Sequence, residues 1–179
     1  MVSQLETSTL AATPHAIEGL VQVFTCSHRS FFTNVIAQAL RLAGQGTPVL
    51  IVQFLKGGIA QGHERPVQLG QNLHWLRCNL PRCIDSAELD AIERQALQTL
   101  WQHTKTVVNR DDYALVVLDE LSLAIEFGLI AESDVLEFLR DRPSQVDVIL
   151  TGPRMPEAIL EIADQITELR RSQRSNYRL

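Results

Sequence analysis

Short apolar segments alternate along this chain with segments whose apolar residues recur at helical spacing. This alternation is typical of an α/β domain with a mostly parallel sheet. Strands are predicted at 17–26, 49–55, 73–77, 113–118, 146–150 and 165–169, the last at an edge of the sheet. Helices are predicted at 30–43, at 86–108 with Ser86 as N-cap, between 121 and 139, and at 156–163. The segment 57–71 is predicted to be a loop. The fold class is therefore α/β, with a central sheet flanked by helices.

The length of 179 residues fits one domain, since domains usually contain about 100–200 residues. We predict a flexible tail at 1–16, a single domain at 17–169 and a basic tail at 170–179. The net charge of −5 is uneven, because the last ten residues carry four arginines and no acid. The acidic body argues against nucleic acid as a partner.

Three cysteines, Cys26, Cys78 and Cys83, form no C-x-x-C pair and have no zinc-binding spacing with histidine. They are predicted to be reduced thiols of a cytoplasmic protein. No apolar run approaches the roughly 20 residues that span a bilayer, so no membrane association is expected.

The loop after the first strand is the first place where a ligand is expected, because ligands bind outside the carboxyl ends of parallel strands. A phosphate-binding loop there needs glycines, a lysine and a Ser or Thr for Mg²⁺. The stretch 25–33 (TCSHRSFFT) contains neither glycine nor lysine. Its candidate ligand-binding residues are Ser27, His28, Arg29, Ser30 and Thr33. The alternative is a capped helix start with Phe31 and Phe32 in the core.

Three further strand ends carry charged residues. Asp119 and Glu120 follow a buried strand and are candidate Mg²⁺ ligands, although acidic residues also end strands simply where solvent begins. Lys56 precedes two glycines, and Arg154 follows Thr-Gly-Pro; each is a candidate anion ligand or a surface cation.

Several segments resemble the P-loop-type ATP:corrinoid adenosyltransferases, which make adenosylcobalamin. The matching segments are 52–57 (VQFLKG), 101–103 (WQH), 116–121 (VVLDEL), 128–143 (from GLI to RP), 148–152 (VILTG) and 162–170 (IADQITELR). The resemblance implies a P-loop NTPase-like (RecA-like) fold and a homodimer. It also implies ATP with Mg²⁺ on the first loop, and a Co(I) corrinoid that attacks the ribose C5′ of ATP.

The chain departs from this family where the chemistry takes place. Against the family's loop G-N-G-K-G-K-T-T, residues 26–33 read C-S-H-R-S-F-F-T, so the phosphate lysine becomes Phe31 and only Thr33 is retained. The aromatic residues that the family places before the long helix are missing from 80–85 (LPRCID). The family's T-G-R becomes T-G-P, with Arg154 displaced by one position.

These departures favour a non-catalytic family member with a binding or regulatory role. The main alternative is an active ATP:cob(I)alamin adenosyltransferase in which Arg29 and Lys56 replace the lost lysine; its cofactors would be ATP, Mg²⁺ and a corrinoid. Two other hypotheses are a binder of a nucleotide without triphosphate or of a tetrapyrrole, and a module that docks an unknown protein partner through the arginine tail or the long helix.

Overall fold

A computed structural model of the chain describes residues 18–30, 32–57 and 62–170. The two tails predicted at 1–16 and 170–179 lie outside these ranges except for Arg170, and Phe31 also lies outside them. In chain order the elements are β1 Val21–Cys26, α1 Thr33–Gly44, β2 Val49–Gln53, β3 Val67–Leu69, β4 Leu73–Arg77, α2 Ala91–Val108, β5 Leu115–Asp119, α3 Leu121–Glu126, α4 Glu132–Asp141, β6 Asp147–Pro153, α5 Glu157–Glu161 and β7 Gln165–Leu169.

The described strands form one sheet in the order β3-β4-β2-β5-β6-β1-β7. Every neighbouring pair is parallel except β3 and β4, which form an antiparallel hairpin at one edge. The prediction of β7 as an edge strand is confirmed. Strands β2 and β5 are buried throughout, because helices cover both faces of the sheet.

The core has two parts, one on each face of the sheet. Alternate strand residues pack with α2, α3, α4 and α5 in the larger part. The remaining strand residues pack with α1 in the smaller part, where Val35, Ile36 and Ala39 are buried. The result is the three-layer α/β architecture expected from the sequence.

The structure corrects the start of the long helix. Helix α2 begins at Ala91, after Asp90 and not after Ser86. Asp90 accepts a hydrogen bond from the Glu93 N–H at 2.8 Å, and the Glu93 carboxylate accepts one from the Asp90 N–H at 3.2 Å. This reciprocal capping box satisfies two otherwise unpaired backbone donors, which explains why the helix begins there.

The loop predicted at 57–71 also contains a short strand. Strand β3 pairs with β4 through Val67–Trp75 and Leu69–Leu73, and Gly70 has a φ of 65° between the two strands. The three-residue strand was too short to give a periodic pattern. None of the described helices is long and apolar enough to cross a membrane.

Candidate functional site

The carboxyl ends of four neighbouring strands carry polar side chains in register. Gln53 at the end of β2 pairs with Arg77 of β4 on one side and with Asp119 of β5 on the other. The next strand, β6, places Thr151 beside Asp119, since Leu118 pairs with Leu150. Residues in register on parallel strands point to the same face. A row of four polar side chains therefore crosses the sheet at the level where ligands bind in such folds.

The row is joined by hydrogen bonds. The Gln53 side-chain carbonyl accepts from Arg77 Nε at 2.8 Å and from Trp75 Nε1 at 3.0 Å, which fixes the orientation of the amide. The Gln53 amide nitrogen donates to Asp119 at 2.7 Å, and the Thr151 hydroxyl donates to the other Asp119 oxygen at 2.8 Å. The row is thus a continuous network that ends on the Asp119 carboxylate.

Asp119 also pairs with a cation. Lys56, three residues beyond β2, donates from Nζ to Asp119 at 2.8 Å. Asp119 is only 3% exposed, and the Lys56 side chain is largely buried. A buried carboxylate is stable only when it is paired and hydrogen-bonded, and three donors fulfil that need here.

Glu120 pairs with the first loop. Its two oxygens accept from Arg29 Nε at 2.6 Å and from Arg29 Nη2 at 2.8 Å, and Arg29 also donates to the Ile84 carbonyl at 3.0 Å. The hydrogen bond to Glu120 raises the pKa of Arg29 further above its ordinary value. The bidentate geometry is the strong form of an arginine–carboxylate pair.

The backbone at Glu120 is unusual. Glu120 has a φ of 59°, in the left-handed region that non-glycine residues rarely adopt, and its N–H donates to the Thr151 hydroxyl at 3.0 Å.

On the neighbouring strand, Gly152 has a φ of 139°, and a Cβ there would lie 2.1 Å from Ser122 Oγ. The close contact between the α3 start and the end of β6 therefore requires glycine at 152.

We call these residues the strand-end cluster. It contains Arg29, Gln53, Lys56, Arg77, Asp119, Glu120 and Thr151. Each of the four oxygens of its two carboxylates already accepts at least one hydrogen bond. Arg29 and Lys56 pair with the two carboxylates, while the third cation, Arg77, donates to Gln53, so the cluster has one positive charge more than negative charges.

The remaining candidates of the first loop lie on its exposed side. Ser27 and His28 are exposed and hydrogen-bond to each other at 3.1 Å, and Thr33 is the exposed first residue of α1. Ser30 is partly buried. No side-chain hydrogen bond caps α1 within the described residues, because Phe32 occupies the N-cap position. The expectation of a capped helix start is therefore wrong.

Phe32 packs in the smaller part of the core and is 1% exposed. It does not line a cleft. Phe31, the residue at the position of the family's phosphate lysine, lies outside the described residues.

Arg154 lies apart from the strand-end cluster. It has a φ of 48° and its guanidinium holds Glu126 at 2.6 and 2.8 Å on the exposed surface. The Glu126 carboxylate raises the pKa of Arg154. An ion pair this exposed contributes little to stability. The structure thus brings Arg29, Lys56, Asp119 and Glu120 together and leaves Arg154 with another partner.

Sequence reasoning missed three residues as members of the site: Gln53, Arg77 and Thr151. The signal was present, because each is a polar residue at the end of an apolar strand. Recognising it requires the strand order and register, and neither follows from the sequence of a single strand.

The fold and this cluster define a three-layer α/β protein whose polar site lies at the carboxyl ends of parallel strands. The family model for the ATP:corrinoid adenosyltransferases BtuR/CobO/CobP matches residues 17–177. A corrinoid adenosyltransferase of Escherichia coli (strain K12) is 30% identical over 153 residues, which cover 85% of this chain and 76% of the relative.

Two further relatives give a similar result. A corrinoid adenosyltransferase of Sinorhizobium sp. is 26% identical over 172 residues, covering 89% of this chain and 76% of that protein. The corrinoid adenosyltransferase CobA of Salmonella typhimurium is 29% identical over 153 residues, covering 85% and 76%. This chain belongs to the ATP:corrinoid adenosyltransferase family, and its α/β sheet agrees with the P-loop NTPase-like fold expected for that family.

Proposed function

We propose that this family member has lost ATP-dependent adenosyl transfer and serves a binding or regulatory role. The observation that carries the proposal is the pairing of the acidic residues with the chain's own cations. Glu120 holds Arg29 through two hydrogen bonds, and Asp119 holds Lys56. A Mg²⁺–triphosphate needs free carboxylate oxygens for the metal and free cations for the phosphates, and these four residues satisfy one another.

Displacing these pairs has a cost that a nucleotide would have to offset. Leaving one member of a buried pair without its partner costs about 3–5 kcal/mol. Asp119 is buried and depends on Lys56, Gln53 and Thr151 for its donors. A ligand that took Lys56 would therefore have to supply a replacement cation to Asp119.

The first loop does not fit a triphosphate. Glycines allow a phosphate loop to wrap its backbone amides around the ligand, and residues 26–33 contain none. Phe32 buries its ring in the core at the start of α1. Arg29, the cation of this loop, donates its hydrogen bonds to Glu120 and to the Ile84 carbonyl. The described part of the loop therefore directs neither glycine amides nor its cation toward a phosphate.

The loop before α2 gives independent support. Residues 80–85 contain no aromatic side chain, and Leu80 and Ile84 are buried in the larger core. Gly57 lies against this loop, since a Cβ there would be 2.3 Å from the Arg82 carbonyl and 2.4 Å from the Leu80 carbonyl. The loop is therefore packed against the segment that follows β2, and it offers no aromatic surface for a corrinoid.

Titration calorimetry with Mg-ATP tests the proposal, with the Escherichia coli relative as the positive control. We expect no saturable heat for this chain at nucleotide concentrations that saturate the relative. An Arg29→Gln variant should also give none, because freeing Glu120 does not restore the missing glycines and lysine. Micromolar binding by the unmodified chain would overturn the proposal.

The alternative function is an active ATP:cob(I)alamin adenosyltransferase, with ATP, Mg²⁺ and a corrinoid. One observation favours it: Arg29 and Lys56 converge on the same strand ends as the acidic pair. In that case Arg29 and Lys56 would move from the carboxylates to the phosphates. Mg-ATP binding that is lost in Arg29→Gln and Lys56→Gln, and retained in the exposed Arg170→Gln, would support this alternative.

The assembly and location are also proposals. We propose a homodimer, which the family resemblance supports, and a cytoplasmic location, which the free thiols Cys26, Cys78 and Cys83 support. Light scattering coupled to gel filtration should give a mass near twice the 20.1 kDa of one chain. A monomeric mass across the micromolar range would contradict the dimer.

A further inference from the structure

Two histidines that are 40 positions apart in sequence meet in the fold. His63, in the loop before β3, and His103, in the second half of α2, have ring centroids 5.3 Å apart with an angle of 48° between the planes. Both residues line a groove of about 810 Å³ between α2 and the start of α4. Neither residue belongs to the strand-end cluster, so a role for this pair is independent of the proposed function.

Neither imidazole has a hydrogen-bond partner among the described residues. Among the described residues, no hydrogen bond reaches a ring nitrogen of His63 or His103, whereas the rings of His28 and His74 each have a hydroxyl partner. Trp101 lines the same groove, and its buried indole N–H has no partner among the described residues. The groove therefore contains several nitrogen groups that lack partners.

The groove also contains an acidic residue. Asp134 lines it together with His63 and His103. The negative charge of Asp134 favours a cation in the groove over an anion.

The spacing of the rings fits two ligands of one ion. A zinc–imidazole bond is about 2.0–2.1 Å, so two imidazoles on one tetrahedral ion have their ring centroids about 5 Å apart. The observed separation is 5.3 Å. Within residues 18–30, 32–57 and 62–170, no set of three or more His, Cys, Asp or Glu side chains is arranged to hold a metal. An ion on this pair would therefore keep coordination positions open to water or to a small ligand.

We propose that His63 and His103 form a site for a divalent transition-metal ion, of the class Zn²⁺, Co²⁺, Ni²⁺ or Cu²⁺. Imidazole nitrogens select these ions over Mg²⁺ and Ca²⁺. The ion joins the loop of His63 to helix α2, and its open positions face the groove.

Metal titration tests this site. Untagged protein is used, with Cys83→Ser as the background because the exposed Cys83 thiol also binds soft metals. Calorimetry with Co²⁺ and Zn²⁺ at pH 7.5 should show saturable binding of about one ion per chain. His63→Gln and His103→Gln should each weaken it by about 10-fold or more, because each removes one of two protein ligands.

Matched controls identify the ligands. His28→Gln and His15→Gln should leave Co²⁺ affinity unchanged, and the visible absorption of bound Co²⁺ should be lost in His63→Gln and His103→Gln alone. Zn²⁺ should raise the Tm of the Cys83→Ser background and of both control variants. It should not raise the Tm of His63→Gln or His103→Gln, and this difference distinguishes lost binding from unfolding. The proposal is overturned if His63→Gln and His103→Gln bind the metal as tightly as the Cys83→Ser background does. Loss of metal binding in the control variants, or no saturable binding at all, would also overturn it.

Discussion

Asp119 receives donors from three elements, and its charge therefore contributes to stability. Gln53, Thr151 and Lys56 all donate to its carboxylate. In an enzyme whose catalytic carboxylate is unpaired until a ligand binds, replacing that carboxylate by a neutral residue often stabilises the fold. The reason is that the substitution removes an unpaired buried charge. Here the opposite holds, since Lys56 would lose its ion pair with the Asp119 carboxylate.

Replacing Asp119 by Asn should therefore lower the free energy of unfolding by about 3–5 kcal/mol, the cost of removing one charge of a buried ion pair. Urea denaturation followed by circular dichroism measures this change. The control is Glu168→Gln, whose carboxylate is in an exposed pair with Arg170 and should change stability by less than about 1 kcal/mol. An Asp119→Asn variant more stable than the parent would show that the carboxylate is held for a ligand.

His103 makes stability depend on pH in a defined direction. Its pKa is lowered in the folded protein by burial, His63 and Arg110, while Asp134 is the acid lining the same groove. The unfolded chain therefore binds a proton at higher pH than the folded chain. Stability due to this residue is complete above the ordinary histidine pKa of about 6.5 and falls as pH decreases toward the folded pKa.

The corresponding prediction is that His103→Gln flattens the decrease in Tm below pH 6.5, measured without added metal. His28→Gln is the control, because His28 is exposed. The prediction is wrong if the Tm of His103→Gln and that of the parent decrease in parallel over this range.

Among the helices and strands, the sequence prediction and the structure differ at the start of α2. Ser86 and Asp90 are both residue types that cap helices, but only Asp90 is followed three positions later by a glutamate. Glu93 also holds Arg82 at 2.6 Å, which lowers the pKa of Glu93 and connects the helix start to the loop before it.

Replacing Asp90 by Ala should cost about 1 kcal/mol of stability, because one backbone donor of α2 loses its acceptor. Ser86→Ala is the matched control and should cost little, since Ser86 lies outside the helix, which begins at Ala91. Denaturation midpoints measure both. Equal losses of stability in the two variants, or a larger loss in Ser86→Ala, would instead support the longer helix with Ser86 as its N-cap.

The contact between α3 and β6 depends on Gly152. Its positive φ and the proximity of Ser122 Oγ both exclude a side chain. Gly152→Ala should lower stability by about 2 kcal/mol, the usual cost of a strained backbone conformation. Adding Ser122→Ala should recover part of the loss by removing the clash. A Gly152→Ala variant as stable as the parent would contradict this account of the turn.

For the whole molecule, the sequence predicted the layers of the fold better than the site. Apolar periodicity is a local property, so the buried strands β2 and β5 and the edge strand β7 were evident from it. The pairing of Arg29 with Glu120 joins residues 91 positions apart, and that of His63 with His103 joins residues far apart in the chain. No local pattern encodes such contacts, because they depend on strand order and loop path.

The loss of adenosyl transfer is tested most directly by anaerobic incubation with ATP, Mg²⁺ and reduced corrinoid, with formation of the cobalt–carbon bond followed by visible absorbance. The Escherichia coli relative, assayed in parallel, should form product. This chain should form none above the protein-free background, because its acidic pair and its cations are bound to one another and its first loop lacks glycine and lysine. Product formation by this chain at a rate comparable to that of the relative would contradict the proposed function.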